Sequence, residues 1–318
     1  MSIEDTDRHH RKVLEKLAGE SLVERRRARR WGIFFKLLTF AYVTFLLLAV
    51  LGAIVEDASR ITGPHTALVD LQGVIAAEED ASADRVSEGL RAAFEDANTK
   101  GVILRINSPG GSPVQSSYIN REIKRLRAKY PDIPLYAVVE DMCASGGYFV
   151  AAAADKIYVN ESSVVGSIGV LSSGFGFVGT LEKLGVERRL NTAGEHKGFM
   201  DPFSPQTEED RAHLNQLLGQ IHQQFISVVR EGRGDRLGND PQLFSGLFWT
   251  GEESIRLGLA DEIASAGQVA RDVIGEEEIV DFTARDDLAT RLAEKLGVGA
   301  AKVLSHALGI SAPAGTLR

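Results

Sequence analysis

Cysteine is nearly missing: one residue, Cys143, in a chain of 318. A lone cysteine closes no internal disulfide and builds no cysteine-ligated zinc site. Basic charge is missing from most of the chain as well. The net charge is −8; residues 1–55 hold ten Lys/Arg against six Asp/Glu, leaving 26 against 38 for the remainder. An acidic body of that size argues against nucleic acid as a partner. The phosphate-cradling pattern G-x-x-x-x-G-K-[ST] does not occur, which weakens any nucleotide reading. Seven histidines are present, and none forms a metal-binding pair. His213 and His222 stand nine apart on one expected helix, on roughly opposite faces. No cofactor is called for.

What is abundant is patterned. Leu37–Val55 is a charge-free run of 19 residues, long enough to cross a bilayer. Its Leu, Ile, Phe and Val residues favour insertion by roughly −4 to −7 kcal/mol. The basic cluster Arg25–Arg30 lies upstream, and Glu56 and Asp57 lie downstream. The positive-inside rule then puts the N-terminus in the cytoplasm and everything after Val55 outside it. No clean A-x-A site follows, so the expectation is an uncleaved single-pass anchor in a cytoplasmic membrane, not a cleavable signal peptide. The implied organisation is a cytoplasmic basic tail (1–30), an anchor (31–55) and a stalk (56–66). A globular body (67–265) and a C-terminal strand and helical segment with a tail (266–318) complete it.

The body has an alternating rhythm. Expected strands at Ala67–Ile75, Gly101–Ile106, Leu135–Val139 and Lys156–Val159 are separated by helical spacing at Ala83–Ala97 and Val114–Lys129. Strands alternating with helices of this length imply βαβ units, hence an α/β class with parallel strands. Further expected elements are a strand at Val186–Leu190, a loop over Asn191–Pro205 and a final strand near 279–283. Between the last two, Thr207 and Asp210 resemble a capping box that opens a helix. Its core-facing residues are expected at Leu214, Leu217, Leu218, Ile221, Phe225, Val228 and Val229.

The stretch on which the rest converges is D-M-C-A-S-G-G-Y-F-V-A-A-A-A-D, Asp141–Asp155. It reads as a strand end, a tight turn at Gly146–Gly147 and a helix with Ser145 at its N-terminus. That position suits a helix cap or a nucleophile equally. A second loop, N-S-P-G-G over Asn107–Gly111, follows its own strand and lies at the same carboxyl edge, where open parallel sheets collect ligands. Consecutive glycines let backbone N–H groups approach a substrate carbonyl, as an oxyanion hole requires. A nucleophilic serine needs a base, and His196 and Lys197 stand adjacent in the loop T-A-G-E-H-K-G-F-M-D-P-F. Cys143 reads as a small buried residue. C-A-S-G-G lacks the first glycine of G-x-S-x-G, which tells against an α/β-hydrolase elbow.

In order, N-S-P-G-G, A-S-G-G-Y, V-G-S-I-G-V, the lysine loop ending D-P-F, and Trp249–Asp261 resemble bacterial signal peptide peptidase A in its short, single-catalytic-domain, membrane-anchored form. The resemblance covers roughly Ala67–Ala264; Ser254 stands where the family more often has alanine. It implies a Clp protease/crotonase-like fold and a Ser/Lys dyad. On it, Ser145 is the nucleophile, Lys197 the general base and Ser167 the residue orienting the lysine, with Gly110 and Gly111 at the oxyanion. It further implies remnant signal peptides as substrates and a cyclic homo-oligomer with sites at protomer boundaries. Ser145 of one chain is then expected to pair with Lys197 of its neighbour. The rival expectations are a broader membrane-protein quality-control protease, a crotonase-like acyl-thioester enzyme and an inactive scaffold. For Lys197 to act as a base its pKa must fall by about three units, and Phe199, Met200 and Phe203 are the expected desolvating neighbours.

Overall fold

The computed structural model describes residues 29–45 and 63–285, and the chain divides into two units at residues 61 and 62. In the first unit, residues 29–45 are helical, with Trp31, Phe34 and Phe35 in mutual ring contact. Among the described residues no helix is long and apolar enough to cross a membrane. Residues 46–55 of the expected span lie outside the described residues. So do the tail before residue 29 and the expected helices over 287–308.

The second unit opens with β1 (His65–Ile75), α1 (Ala83–Glu95), β2 (Thr99–Gly111), α2 (Pro113–Lys129), β3 (Leu135–Ala144) and α3 (Gly146–Ala151). Then come β4 (Lys156–Val159), β5 (Val164–Gly166), α4 (Val178–Leu184), α5 (Glu208–Arg233), β6 (Phe248–Thr250) and α6 (Gly251–Arg256). The unit closes with β7 (Glu262–Ile263), α7 (Ala266–Gln268) continued by a π-helical turn (Val269–Ile274), and β8 (Ile279–Asp281). The strands form one sheet in the order β6-β5-β3-β2-β1-β8, with β4 beside β3 and β7 beside β4. Every pairing is parallel except β5 with β6. This parallel-rich α/β architecture fits the Clp-like fold that the motif order implies.

The physical reason is legible in β2. Val102, Ile103, Leu104 and Ile106 are all buried, because parallel strands carry cover on both faces. One face meets α1, α2 and α3 through Val86, Leu90, Phe94, Ile119, Ile123 and Leu126. The other meets the α7 segment through Leu68, Ile103, Val138 and Tyr158, with Val269 and Ala270. Residues beyond 265 therefore belong to the sheet-bearing unit: β8 pairs with β1, and Thr66 N–H donates to the Glu278 carbonyl at 2.8 Å. At the other boundary, β1 begins at His65, inside the stretch read as stalk, and His65 is buried against Phe282.

Three further expectations need correction. Residues 186–190 form no strand; they lie exposed beyond α4, where no neighbouring strand offers a ladder. The N-S-P-G-G stretch is not a loop that follows a strand: β2 runs through Gly111. β3 runs on past Val139 to Ala144, and the expected turn and helix follow it at Ser145 and Gly146. In α5, only the C-terminal half buries its apolar stripe, at Phe225, Ile226 and Val229. Leu214 and Leu218 are half-buried, and Leu217 is exposed.

Candidate active site

β3 forks at its carboxyl end. Its lower half pairs with β4 at Tyr136–Val138 and its upper half with β5 at Met142–Ala144. Ser145 follows at once, with φ 50° and ψ −119°, a backbone conformation that costs a non-glycine residue energy and often marks a functional turn. The turn is pinned from both sides. Ser145 N–H donates to the Gly166 carbonyl at 2.8 Å, and the Ser145 carbonyl accepts from Phe149 N–H at 2.9 Å. Its side chain caps nothing, which sets aside the helix-cap reading. α3 behind it is anchored by Tyr148, whose hydroxyl donates to the Leu259 carbonyl at 2.7 Å, and by Asn120, which donates to the Phe149 carbonyl at 2.8 Å.

The end of β2 packs directly against this turn. At Gly110 (φ 92°) a β-carbon would stand 2.5 Å from Gly146 N and 2.8 Å from Ser145 Cβ. At Gly111 (φ 152°) it would stand 2.3 Å from the Ile75 carbonyl oxygen. Only glycine permits this approach. The two glycines differ in what they offer: Gly110 N–H already donates to Ser108 Oγ at 3.1 Å, whereas Gly111 faces the cavity beside Ser145.

That cavity encloses about 870 Å³. Ser145 and Ser167 with Gly111 and Gly146, and also Ser116, Ser117, Gln224 and Ser245, give its polar lining, and Phe149, Val170, Leu171, Ile221, Phe225, Val228 and Phe248 line its apolar part. Ser167 has a positive φ of 51° and donates its N–H to the Leu247 carbonyl at 2.8 Å. Among the described residues, no lysine, arginine, histidine, aspartate or glutamate lines the cavity. The structure thus brings together Ser145, Ser167 and Gly111, with Gly110 immediately behind.

Lys197 is elsewhere. It sits exposed in a turn whose backbone closes with Lys197 N–H donating to the Gly194 carbonyl at 3.1 Å. The aromatic residues expected to desolvate it are engaged differently. Phe199 meets His213 edge-on at 5.4 Å, Phe203 stacks on Phe177 at 5.4 Å, and Met200 is half exposed. His196, the other candidate, is also exposed, with Nε2 3.8 Å from Glu209. The segment bearing both, 171–206, presents Leu171, Phe175, Leu184, Val186 and Leu190 to solvent, and α4 within it has no buried residue.

The last motif, Trp249–Asp261, contributes no side chain to the cavity and supports its frame. Gly251 passes so close to the Asn160 carbonyl that a β-carbon would overlap it. Ser254 is fully buried and donates to the Gly251 carbonyl at 2.7 Å, so the serine in place of alanine is accommodated by a local bond. Asp261 takes two bonds of 2.8 Å from Arg233, which is 1% exposed, and one of 2.7 Å from Ile157 N–H. Sequence reading missed this ion pair, since the spacing of 28 residues carries no local signal. Cys143 is fully buried, and burial pushes its thiol pKa up, away from thiolate chemistry.

A profile of peptidase family S49 matches residues 127–279. A Brucella melitensis protein named "Na(+)/H(+) antiporter NhaA" is 47% identical over 188 residues, 59% of this chain but 25% of that protein. An Enterococcus faecium protein named "Putative signal peptide peptidase SppA" is 34% identical over 194 residues, 61% of this chain and 56% of that protein. A Methanocaldococcus jannaschii protein named as a "Putative protease" is 30% identical over 220 residues, 67% of this chain and 70% of that protein. The chain thus spans a quarter of the first of these relatives and about half of the second. The serine turn and the motifs that follow it lie in the matched region, and the chain covers 70% of the Methanocaldococcus jannaschii relative at 30% identity; the chain belongs to peptidase family S49, the family of signal peptide peptidase A.

Proposed function

We propose that this chain is a serine endopeptidase that cleaves apolar, membrane-associated peptides, remnant signal peptides among them. One observation carries the reading: Ser145 stands on a strained strand-to-helix turn at the edge of an apolar cavity, with a glycine-only strand end against it. The donors for a tetrahedral oxyanion are Gly111 N–H and Gly146 N–H. Gly146 is the first residue of α3, so its N–H has no acceptor within the helix. Gly110 shapes the approach but has spent its own N–H on Ser108. The lining of Phe149, Ile221, Phe225 and Val228 suits apolar side chains, and it holds no carboxylate of the kind a crotonase-like enzyme uses.

The base comes from outside the protomer's own cavity. Ser145 needs a proton acceptor, and no ionisable side chain lines the site. Lys197 rides on an exposed segment rich in unburied apolar residues, and the N-terminal half of α5 beside it exposes part of its apolar stripe. Packing that surface on a second copy would bury it and carry Lys197 to the neighbour's Ser145. The apolar cavity there would desolvate the ammonium and lower its pKa. Ser167, on the cavity edge, is placed to orient the incoming amine.

A serine-reactive phosphonate incubated with the full chain should label Ser145, and synthetic signal peptides should be cleaved. Ser145→Ala should abolish both, and Ser167→Ala should slow cleavage by about 10- to 100-fold through loss of positioning. Absence of label on an oligomeric, folded protein would sink the reading. An anchor over Leu37–Val55, with Arg25–Arg30 upstream, supports a site outside the cytoplasm. A reporter active only outside the cytoplasm, fused after Arg318, should be active; a cytoplasmic signal would overturn the placement.

A further inference from the structure

We infer that His222, which does not line the cavity, is a positioning residue for the serine turn. The inference rests on the reading of Ser145 as nucleophile. The ladder between β5 and β6 ends at Gly166 paired with Phe248, yet the chain must continue in register along the cavity wall through Ser167, Gly169 and Val170. Three bonds hold this short stretch. The Gly166 carbonyl accepts from Ser145 N–H at 2.8 Å, Ser167 N–H donates to the Leu247 carbonyl at 2.8 Å, and the Ile168 carbonyl accepts from His222 Nε2 at 3.2 Å. The first of these is a bond to the nucleophile's own backbone. The third is the only one of them that comes from a side chain, and it reaches in from α5.

A carbonyl only accepts, so His222 meets Ile168 with Nε2 as the donor. What the bond does is mechanical. Ser167 carries a positive φ and the Ile168 side chain is fully buried, so the wall has one conformation to keep and little backbone pairing beyond Gly166 to keep it. After the backbone bond from Ser167 to Leu247, His222 supplies the tether at the next residue, Ile168. Its neighbours along α5, Ile221 and Phe225, line the cavity itself, so the same helix turn shapes the pocket and steadies the opposite wall. Loss of the tether lets 166–169 drift, and with it the acceptor of the Ser145 amide.

The test compares His222→Leu, which removes the donor, with His222→Gln, whose amide nitrogen reaches the same place as Nε2. His222→Asn, whose amide stops short, serves if His222→Leu does not fold. In the assembled full-length protein, His222→Leu or His222→Asn should lower kcat for a signal-peptide substrate by about 10- to 100-fold, with KM changed little. Hydrogen exchange of the Ser145 amide should speed up in the same variants. His222→Gln should recover most of the rate and the protection. Equal kcat and equal Ser145 exchange in wild type and the donor-less variant would overturn the positioning role. So would a loss that His222→Gln fails to restore. Wild-type protein that neither labels at Ser145 nor cleaves would instead overturn the nucleophile assignment, which keeps the two failures apart.

Discussion

The ion pair of Arg233 and Asp261 is where single residues govern the stability of the site's frame. Burial pushes the Asp261 carboxyl pKa up, but the hydrogen bonds from Arg233 and Ile157 N–H, with the charge of Arg236, outweigh burial and leave it below the usual carboxylate value. A carboxylate whose folded pKa is depressed contributes stability above its unfolded pKa and loses it as pH falls through the folded one. Glu122 behaves alike: its hydrogen bond from Arg125, aided by Arg91, brings its pKa down to about 2 despite partial burial. Wild-type protein should therefore lose stability as pH falls from about 4 toward 2, the interval between the unfolded carboxylate values and the depressed ones. Arg233→Ala leaves Asp261 partly buried beside Arg236 alone, and should cost about 3–5 kcal/mol. Urea unfolding at pH 7 measures that cost, and repeating it along the pH series should show the gap between variant and wild type narrowing as pH falls, because Asp261 without Arg233 has a less depressed pKa and loses less stability on protonation. If Arg233→Ala unfolds with the wild-type midpoint, the pair does not hold the frame.

At the scale of elements, the site is an encounter between the end of β2 and the turn from β3 to α3, and its tolerance is set by distance. Gly110→Ala would drive a β-carbon to 2.5 Å from Gly146 N, and the left-handed φ of 92° adds strain. The strand end should then swing away from Ser145, cutting kcat by about 100-fold or more, since misplacement of 1 Å is enough for that. Phosphonate labelling of Ser145 in folded Gly110→Ala should slow in step; unchanged labelling and turnover would mean the strand end does not shape the site. This encounter was half legible in the sequence. The two glycine motifs and their place at the carboxyl edge could be read because βαβ rhythm and glycine pairs are local signals. That the first motif continues its strand, and that β3 runs on to Ala144, could not, because pairing of Val74 with Gly110 and of Cys143 with Val165 is decided by neighbours far along the chain. The expected strand at Val186–Leu190 failed for the converse reason: its composition suits a strand, but no edge is there to receive it. The bond from His222 could not be read from the sequence because its partner is a backbone carbonyl 54 residues away.

At the scale of the whole molecule, the nucleophile and its expected base do not meet in one chain's cavity. Among the described residues no ionisable side chain lines the cavity that holds Ser145, and Lys197 is exposed on a segment whose Leu171 and Phe175 are 81% and 82% exposed. Large apolar side chains gathered on one segment mark a surface made for a partner. The N-terminal half of α5 points the same way, since an apolar stripe that stops meeting its own core has something else to meet. On the proposed reading, a head-to-tail ring would satisfy both surfaces by repetition, the 171–206 segment of each copy covering the next copy's cavity. Ser145→Ala and Lys197→Ala proteins should each be inactive alone, because base and nucleophile act as a unit. Dissociated, mixed in equal amounts and reassembled, they should regain activity. In random mixing about a quarter of the sites receive an intact serine from one chain and an intact lysine from its neighbour. A mass-tagged copy of one variant confirms that the rings are mixed. Recovery near that fraction of the wild-type rate supports the shared site, and reassembly in the presence of excess Ser145→Ala, Lys197→Ala double variant should suppress it. Verified mixed rings that stay inactive would end the shared-site reading. Lys197 would then have to reach Ser145 of its own chain by folding the 171–206 segment back across the cavity.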